Sequence, residues 1–174
     1  MSTTTKRVVL AGLFLALGLL LPFLTGQIPS LGSRLLPMHI PVLLGGFVLG
    51  GPLGLVVGLM TPVLRSMLFG MPPAFPTALI MAFELGAYGW LAGVLFRVLP
   101  KKNMYIYLSL LLSMVGGRIV WGFVSSIILG LSGTPFTWQM FTAGALLNAI
   151  PGIIVQIVVI PVIVLALKRA RLMS

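Results

Sequence analysis

The sequence contains no cysteine and no aspartate, and its only glutamate and histidine are Glu84 and His39. The absence of cysteine excludes disulfides and thiol chemistry. One carboxylate and one imidazole supply neither a pair of catalytic carboxylates nor a cluster of metal ligands. No phosphate-binding loop is present, so the chain has no means of hydrolysing a nucleotide by itself. We therefore expect no enzymatic activity, no metal and no cofactor.

Charged residues are also scarce, at 7% of 174 residues, whereas 59% are hydrophobic. A soluble domain commonly has about a quarter of its residues charged. The net charge of +10 is compatible with nucleic acid. However, the basic residues stand singly or in short groups between apolar runs, whereas nucleic-acid binders cluster them on a polar face. The composition predicts a single integral membrane domain, residues 1–174, that faces the lipid bilayer and binds no nucleic acid.

Six apolar stretches are long enough to be read as membrane-spanning helices. They cover residues 8–24, 36–50, 52–70, 76–98, 104–131 and 140–167. Glycine and proline break the chain between most of them, and the most polar break is Pro100-Lys101-Lys102-Asn103. The pattern predicts an all-α bundle of six transmembrane helices.

Lysine and arginine give the expected orientation, because they stay on the cytoplasmic side of a membrane. With the N-terminus inside, only Arg34, Arg65 and Arg118 lie away from the cytoplasm. The residues that this orientation places in the cytoplasm are Lys6, Arg7, Arg97, Lys101, Lys102, Lys168, Arg169 and Arg171. We expect a plasma-membrane protein with both termini cytoplasmic and three extracellular loops rich in glycine and proline.

Ionisable side chains within spans cost about 2.5–3.5 kcal/mol each at mid-helix, so each one requires a reason. With about 1.5 Å of rise per residue, the costly polar groups all fall in the outer half of the bilayer. These groups are His39, Arg65, Glu84, Arg118 and Asn148. The inner half is expected to carry almost no buried polar group. This asymmetry predicts a pocket that opens outward above an apolar floor, and it argues against a channel.

We expect Arg65 or Arg118 to pair with the negative group of a small ligand that is anionic or carries an amide. Glu84 is expected to orient that arginine or to accept a ligand hydroxyl. The predicted supporting contacts are His39, Asn148 and Trp121. We expect the first and third extracellular loops to close over the site.

Structural roles are open alternatives for each of these residues. Glu84 with Arg118 or Arg65 is also read as an ion pair that docks two helices, and Arg65 as a side chain that snorkels to the outer headgroups. His39 is also read as bonding a loop carbonyl, and Asn148 as an interhelical hydrogen bond.

Small residues with four-residue spacing indicate two helix-contact faces. Gly12 and Ala16 form one on the first helix, and Gly54 and Gly58 form the other on the third. The spacing leaves open whether each partner lies in this chain or in another subunit.

The stretch 39–68, HIPVLLGGFVLGGPLGLVVGLMTPVLRSML, resembles the second and third helices of the substrate-binding S components of energy-coupling-factor vitamin transporters. The features that carry the resemblance are Ile40-Pro41, Gly46-Phe47, Gly50 to Pro52 and Gly54 to Leu59. The first helix resembles the family's face of small residues that contacts the coupling subunit, with Gly12 and Ala16 in the matching positions.

Two departures bear on the ligand. Some members have a lysine and a polar residue where this chain has Met60-Thr61-Pro62, and some have an aspartate where it has His39. The ligand is therefore expected to differ from theirs. The motif FGMPP, residues 69–73, and the charge pattern resemble members associated with pantothenate.

The resemblance implies a subunit that binds a scarce vitamin or precursor in an outward-facing pocket. It implies docking, through the first helices, to a transmembrane coupling subunit with two ATPase subunits. ATP hydrolysis there would topple the subunit and release its ligand inside. The alternatives are a stand-alone secondary transporter or channel, a membrane enzyme that uses His39 or Glu84 as a base, and a structural assembly subunit.

Overall fold

A computed structural model describes residues 3–25, 28, 30, 34–100, 102–170 and 173. Within these ranges the regular structure is helical. The helices are α1 (Thr3–Leu20, extended by a 3-10 turn at Leu21–Thr25), α2 (His39–Leu49), α3 (Gly51–Phe69), α4 (Leu79–Val98, preceded by a π-type turn at Ala74–Ala78), α5 (Met104–Leu131), α6 (Trp138–Thr142, followed by a π-type turn at Ala143–Leu147) and α7 (Ile150–Arg169).

Within the described residues, five segments are long and apolar enough to cross a membrane. They are Thr4–Leu24, Gly51–Phe69, Ala74–Val98, Met104–Leu131 and Trp138–Arg169. The remaining predicted span, 36–50, differs, because its helix α2 has only 11 residues. That length corresponds to about 16 Å, roughly half of a hydrocarbon core. By length and composition, the structure therefore supports five spanning helices where six were expected.

The late start of α2 explains the difference. Leu36 has a left-handed backbone with φ 51°, and the following Pro37 disfavours helix in the residue before it. Residues 36–38 are apolar, so they count toward a hydropathy window although they are not helical. Hydropathy alone therefore extends the helix past its true beginning at His39.

The short helix α2 lies at the centre of the bundle. Nine of its eleven residues are buried, as expected for a helix that is apolar on all sides. Its side chains join those of α4, α5 and α7 in one core, to which Leu43, Phe47, Leu85, Leu110 and Val164 belong.

Glycines bring α2, α3 and α4 into backbone contact along a line that we call the glycine seam, formed by Gly46, Gly54, Gly58, Gly89 and Gly93. A Cβ added at Gly46 or Gly54 would overlap the carbonyl oxygen of Gly89, and one at Gly58 would overlap that of Leu85. Small residues permit such close approach between membrane helices. The Gly54/Gly58 face is therefore an intramolecular contact, with α4 as its partner.

Two arginines gather three helix ends at one end of the bundle. Arg7 Nη2 on α1 and Arg97 Nη2 on α4 both donate to the carbonyl oxygen of Leu49, at 2.6 and 3.0 Å. Successive long helices then alternate in direction, which brings Lys102 and the last turn of α7, with Lys168 and Arg169, to the same end. We call this the basic end and the opposite one the loop end. Lys101 and Arg171 lie outside the described residues.

Candidate functional site

A cavity of about 460 Å³ opens at the loop end, directly ahead of the first turn of α2. Its walls come from α2, α3, α4 and α5 and from the chain between the turn at Ala143–Leu147 and α7. The first loop contributes Pro22 and Ile28, and the second contributes Met71–Pro73. In the third loop, Phe136 makes an edge-on contact with Trp121 at 5.6 Å between ring centroids, and closure of the loops over the site remains a prediction.

The cavity brings together every side chain that the sequence indicated as a ligand contact. The residues are His39 at the start of α2, Arg65 on α3, Glu84 on α4, Arg118 and Trp121 on α5, and Asn148 just before α7. Ligand binding by these residues remains a prediction. Their convergence from five parts of the chain is a property of the structure.

Glu84 is the centre of a buried polar cluster. Its Oε1 lies 2.8 Å from Arg118 Nη1 and 3.6 Å from His39 Nε2. Glu84 and His39 are almost fully buried, and the Arg118 side chain is 13% exposed. Glu84 therefore forms a buried ion pair with Arg118, whereas the roles expected for it toward a ligand remain predictions. The distance to His39 is too long for a hydrogen bond.

Tyr88 belongs to the same cluster and was not identified from the sequence. Its side chain interacts electrostatically with Glu84, and its ring lies edge-on to His39 at 5.2 Å between centroids. Tyr88 follows Glu84 by four residues on α4, so the two share one helix face. That spacing was the available signal.

Arg65 is buried in surroundings that carry no opposite charge. Its Nη1 donates to the carbonyl oxygen of Leu19 at the end of α1. Its guanidinium carbon lies 4.9 Å from the ring centroid of Phe23 and 5.3 Å from that of Phe69. With 2% of its surface exposed, Arg65 is enclosed by protein. Phe69 follows it by four residues on α3, which again was the signal for the contact.

The two arginines therefore differ in electrostatic terms. Arg118 has a carboxylate partner at 2.8 Å, whereas the contacts of Arg65 are a carbonyl dipole and two aromatic faces. Among the described residues of the cavity wall, Arg65 therefore carries a positive charge without a carboxylate partner.

Several polar atoms of the cluster have no hydrogen-bond partner among the described residues. They are Nδ1 and Nε2 of His39 and Nε and Nη2 of Arg118. An unsatisfied buried donor or acceptor costs about 1–3 kcal/mol. A bound molecule with matching groups would remove that cost, so the arrangement is suited to binding.

The remaining two predicted contacts lie at the side of the cavity formed by α5 and the chain before α7. Trp121 is half-buried and packs on Phe141 at 6.0 Å between ring centroids. Asn148 is exposed, and its backbone N–H donates to the Ala143 oxygen at 2.9 Å. Both side chains thus border the cavity without belonging to its buried cluster.

The other predicted functional face is Gly12 and Ala16 on α1, which are exposed. A Cβ added at Gly12 would have no atom within 4 Å among the described residues. This surface is thus available to a partner, in contrast to the Gly54/Gly58 face.

Within the described residues, apolar helices of spanning length define a multi-pass membrane protein, and a cavity of about 460 Å³ lies among them. A family model described as "ECF transporter, substrate-specific component" matches residues 6–164. The chain belongs to this family and is therefore a component of a transporter. Membership of the family implies a ligand and a membrane complex with energy-coupling subunits. Searches of curated proteins and of solved structures returned no match.

Proposed function

We propose that this chain is the substrate-binding subunit of an ATP-driven importer for a vitamin or vitamin precursor. It binds a small anionic ligand in the cavity at the loop end, which opens to the outside of the cell. The main support is the placement of the buried ionisable residues. In the described segments these are His39, Arg65 and Glu84, and all three line that cavity.

The proposed topology has both termini in the cytoplasm and six passes through the plasma membrane. The sixth pass consists of the chain ahead of α2 together with α2 itself, which reaches the basic end at Leu49. The orientation is supported by the charges at the basic end, since lysine and arginine favour the cytoplasmic side.

The proposed partner face is the Gly12/Ala16 surface of α1, which docks to a transmembrane coupling subunit associated with two ATPases. In the most apolar window of α1, 17% of the residues are buried, compared with 56% for Ala74–Val98. α1 therefore has surface to offer a second membrane protein. Apolar packing around the middle of α2, at Leu43 and Phe47, favours movement of the whole subunit over a polar conduit.

Pantothenate is the first ligand to test, because the FGMPP segment that resembles pantothenate-type members contributes Met71, Pro72 and Pro73 to the cavity. Other vitamins with one negative charge are compatible with the same net charge.

The test is uptake of labelled pantothenate by cells that produce this chain with or without a coupling subunit and two ATPases. Cells lacking their own uptake system are used, and a parallel sample carries ATPases inactivated in the phosphate-binding lysine. We expect uptake only with active ATPases. Mass spectrometry of the purified chain should detect a co-purifying small molecule. Uptake by vesicles that contain this chain alone, driven by an ion gradient, would replace the proposal with a secondary transporter or channel.

A further inference from the structure

We propose that the ligand is a two-ended monoanion, and this inference rests on the proposed function. Its anionic group binds Arg65. Its other end carries a hydroxyl or N–H group next to a carbonyl, and this end binds at the cluster of His39 and Arg118.

The assignment of the anion to Arg65 follows from charge compensation. A ligand anion at Arg118 would meet a guanidinium whose charge is already balanced by Glu84 at 2.8 Å. An anion at Arg65 would meet a full positive charge in surroundings of low polarity, where Coulomb attraction is strong. A guanidinium has five N–H donors in a planar fork, and the Leu19 carbonyl engages Nη1. The fork therefore retains donors for a carboxylate.

The two binding groups lie at different depths. Gly58 on α3 packs against the backbone of Leu85 on α4, next to Glu84, whereas Arg65 follows Gly58 by seven residues, about 10 Å, toward the loop end of α3. The anion is thus placed toward the opening and the opposite end of the ligand toward the centre of the protein. Met71, Pro72 and Met81 contribute apolar wall to the cavity, which is compatible with a short aliphatic connection.

The chemistry of the deep end follows from the unsatisfied atoms there. A neutral imidazole has one donor and one acceptor nitrogen, and neither nitrogen of His39 has a partner within the described ranges. Arg118 adds donors at Nε and Nη2, while Glu84 is engaged by Arg118 and Tyr88. A complementary group must therefore accept from Arg118 and from His39 and also donate to His39. A hydroxyl or N–H beside a carbonyl satisfies all three requirements.

The test measures equilibrium binding to the purified full chain with four pairs of probes. Each pair has a carboxylate and an uncharged counterpart: pantothenate and pantothenol, biotin and biotinamide, nicotinate and nicotinamide, lipoate and lipoamide. Pantothenate and biotin have the donor-and-carbonyl group at the far end, whereas lipoate and nicotinate lack it. We expect pantothenate or biotin to bind at least 100-fold more tightly than its uncharged counterpart. Lipoate and nicotinate should bind at least 100-fold more weakly than that acid.

Four variants test whether Arg65 recognises the negative charge of the ligand, and Arg97→Gln is the matched control for Arg65→Gln. Arg65→Gln retains an N–H donor for the Leu19 carbonyl but loses the charge, so the preference for the acid should fall below 5-fold. Arg97→Gln makes the same change in an arginine that donates to a helix carbonyl at the basic end, and affinity should be unchanged. Arg65→Lys, which retains the charge, should keep the preference for the acid. His39→Phe should weaken binding of the acid at least 10-fold without reducing its preference over the uncharged counterpart.

If Arg65→Gln still prefers the acid over its uncharged counterpart, the assignment of the anion to Arg65 is wrong. If Arg65→Gln does not fold, loss of the acid preference in Arg65→Lys would overturn the same assignment. Equal binding of lipoate would overturn the assignment of the deep end. Binding by neither pantothenate nor biotin would overturn the ligand class. In each case ATP-dependent uptake with the coupling subunits decides separately whether the proposed function stands.

Discussion

Glu84 gathers three polar side chains around one carboxylate in the interior of the protein. Arg118 is bound through a charged hydrogen bond at 2.8 Å, Tyr88 through its side chain, and His39 lies at 3.6 Å. A buried ion pair contributes little net stability compared with apolar residues, but removing one partner leaves a charge without compensation. The cluster therefore responds very differently to single and double substitution.

We expect Glu84→Gln and Arg118→Met each to lower the free energy of unfolding by about 3–5 kcal/mol, the usual effect of breaking a buried pair. The double variant should be more stable than the sum of the two losses predicts, because it contains no uncompensated charge. Thermal unfolding of the three proteins in one detergent measures the coupling. Strictly additive losses would show that the pair does not interact in the protein.

At this scale the sequence predicted the cavity residues well, because each costly polar group in a span needs a reason. It left the pairing open, since both Arg65 and Arg118 were within plausible reach of Glu84. Only the three-dimensional arrangement separates them. Phe23, Phe69 and Tyr88 were missed because aromatic side chains in a membrane helix are common and carry no cost that draws attention to them.

The helices were predicted to within a few residues, except where the chain leaves helical geometry while remaining apolar. The predicted span 36–50 became a helix that begins at His39. The predicted last span, 140–167, is broken at residues 148–149 between two helical segments. Apolar composition specifies burial, whereas backbone geometry depends on local turns such as the one at Leu36 and Pro37.

Because of the close packing at the glycine seam, we expect the same substitution to affect stability differently at a glycine inside the seam and at one outside it. Gly89→Val should lower the free energy of unfolding by about 1–3 kcal/mol or more, because its side chain would overlap the backbone of Gly54. Gly12→Val is the matched control, since an added Cβ there has open space. Its stability should change by no more than about 0.5 kcal/mol.

The same pair of variants tests the docking face. Gly12→Val should bind ligand normally yet lose ATP-dependent uptake and co-purification with the coupling subunit. Normal uptake by Gly12→Val would remove Gly12 from the docking surface. Equal stability of the two variants in thermal unfolding would contradict the close packing of the seam.

Across the whole molecule, charge is divided between two ends. Arg7 and Arg97 meet at the carbonyl of Leu49, and Lys102, Lys168 and Arg169 lie at the same end by the alternation of the helices. The cavity lies toward the other end, with Arg65, which has no carboxylate partner among the described residues. This division supports the proposed orientation, with the basic end in the cytoplasm.

Single cysteines test that orientation without background, because the natural chain has none. We expect a membrane-impermeant maleimide to label Ala74→Cys in intact cells, since Ala74 is exposed at the loop end. Asn103→Cys is exposed at the basic end and should react only after the membrane is permeabilised. The reverse labelling pattern would place the cavity on the cytoplasmic side and contradict the proposed import of an external ligand.

The brevity of α2 has a consequence for how such a binding site changes size. The cavity begins where α2 begins, and His39 marks the boundary. Two more helical turns ahead of His39 would act as a plug and occupy it from within. The capacity of the site thus depends on the residue at which one helix starts. A shift of that residue by one helical turn would enlarge or reduce the cavity without changing the surrounding helices.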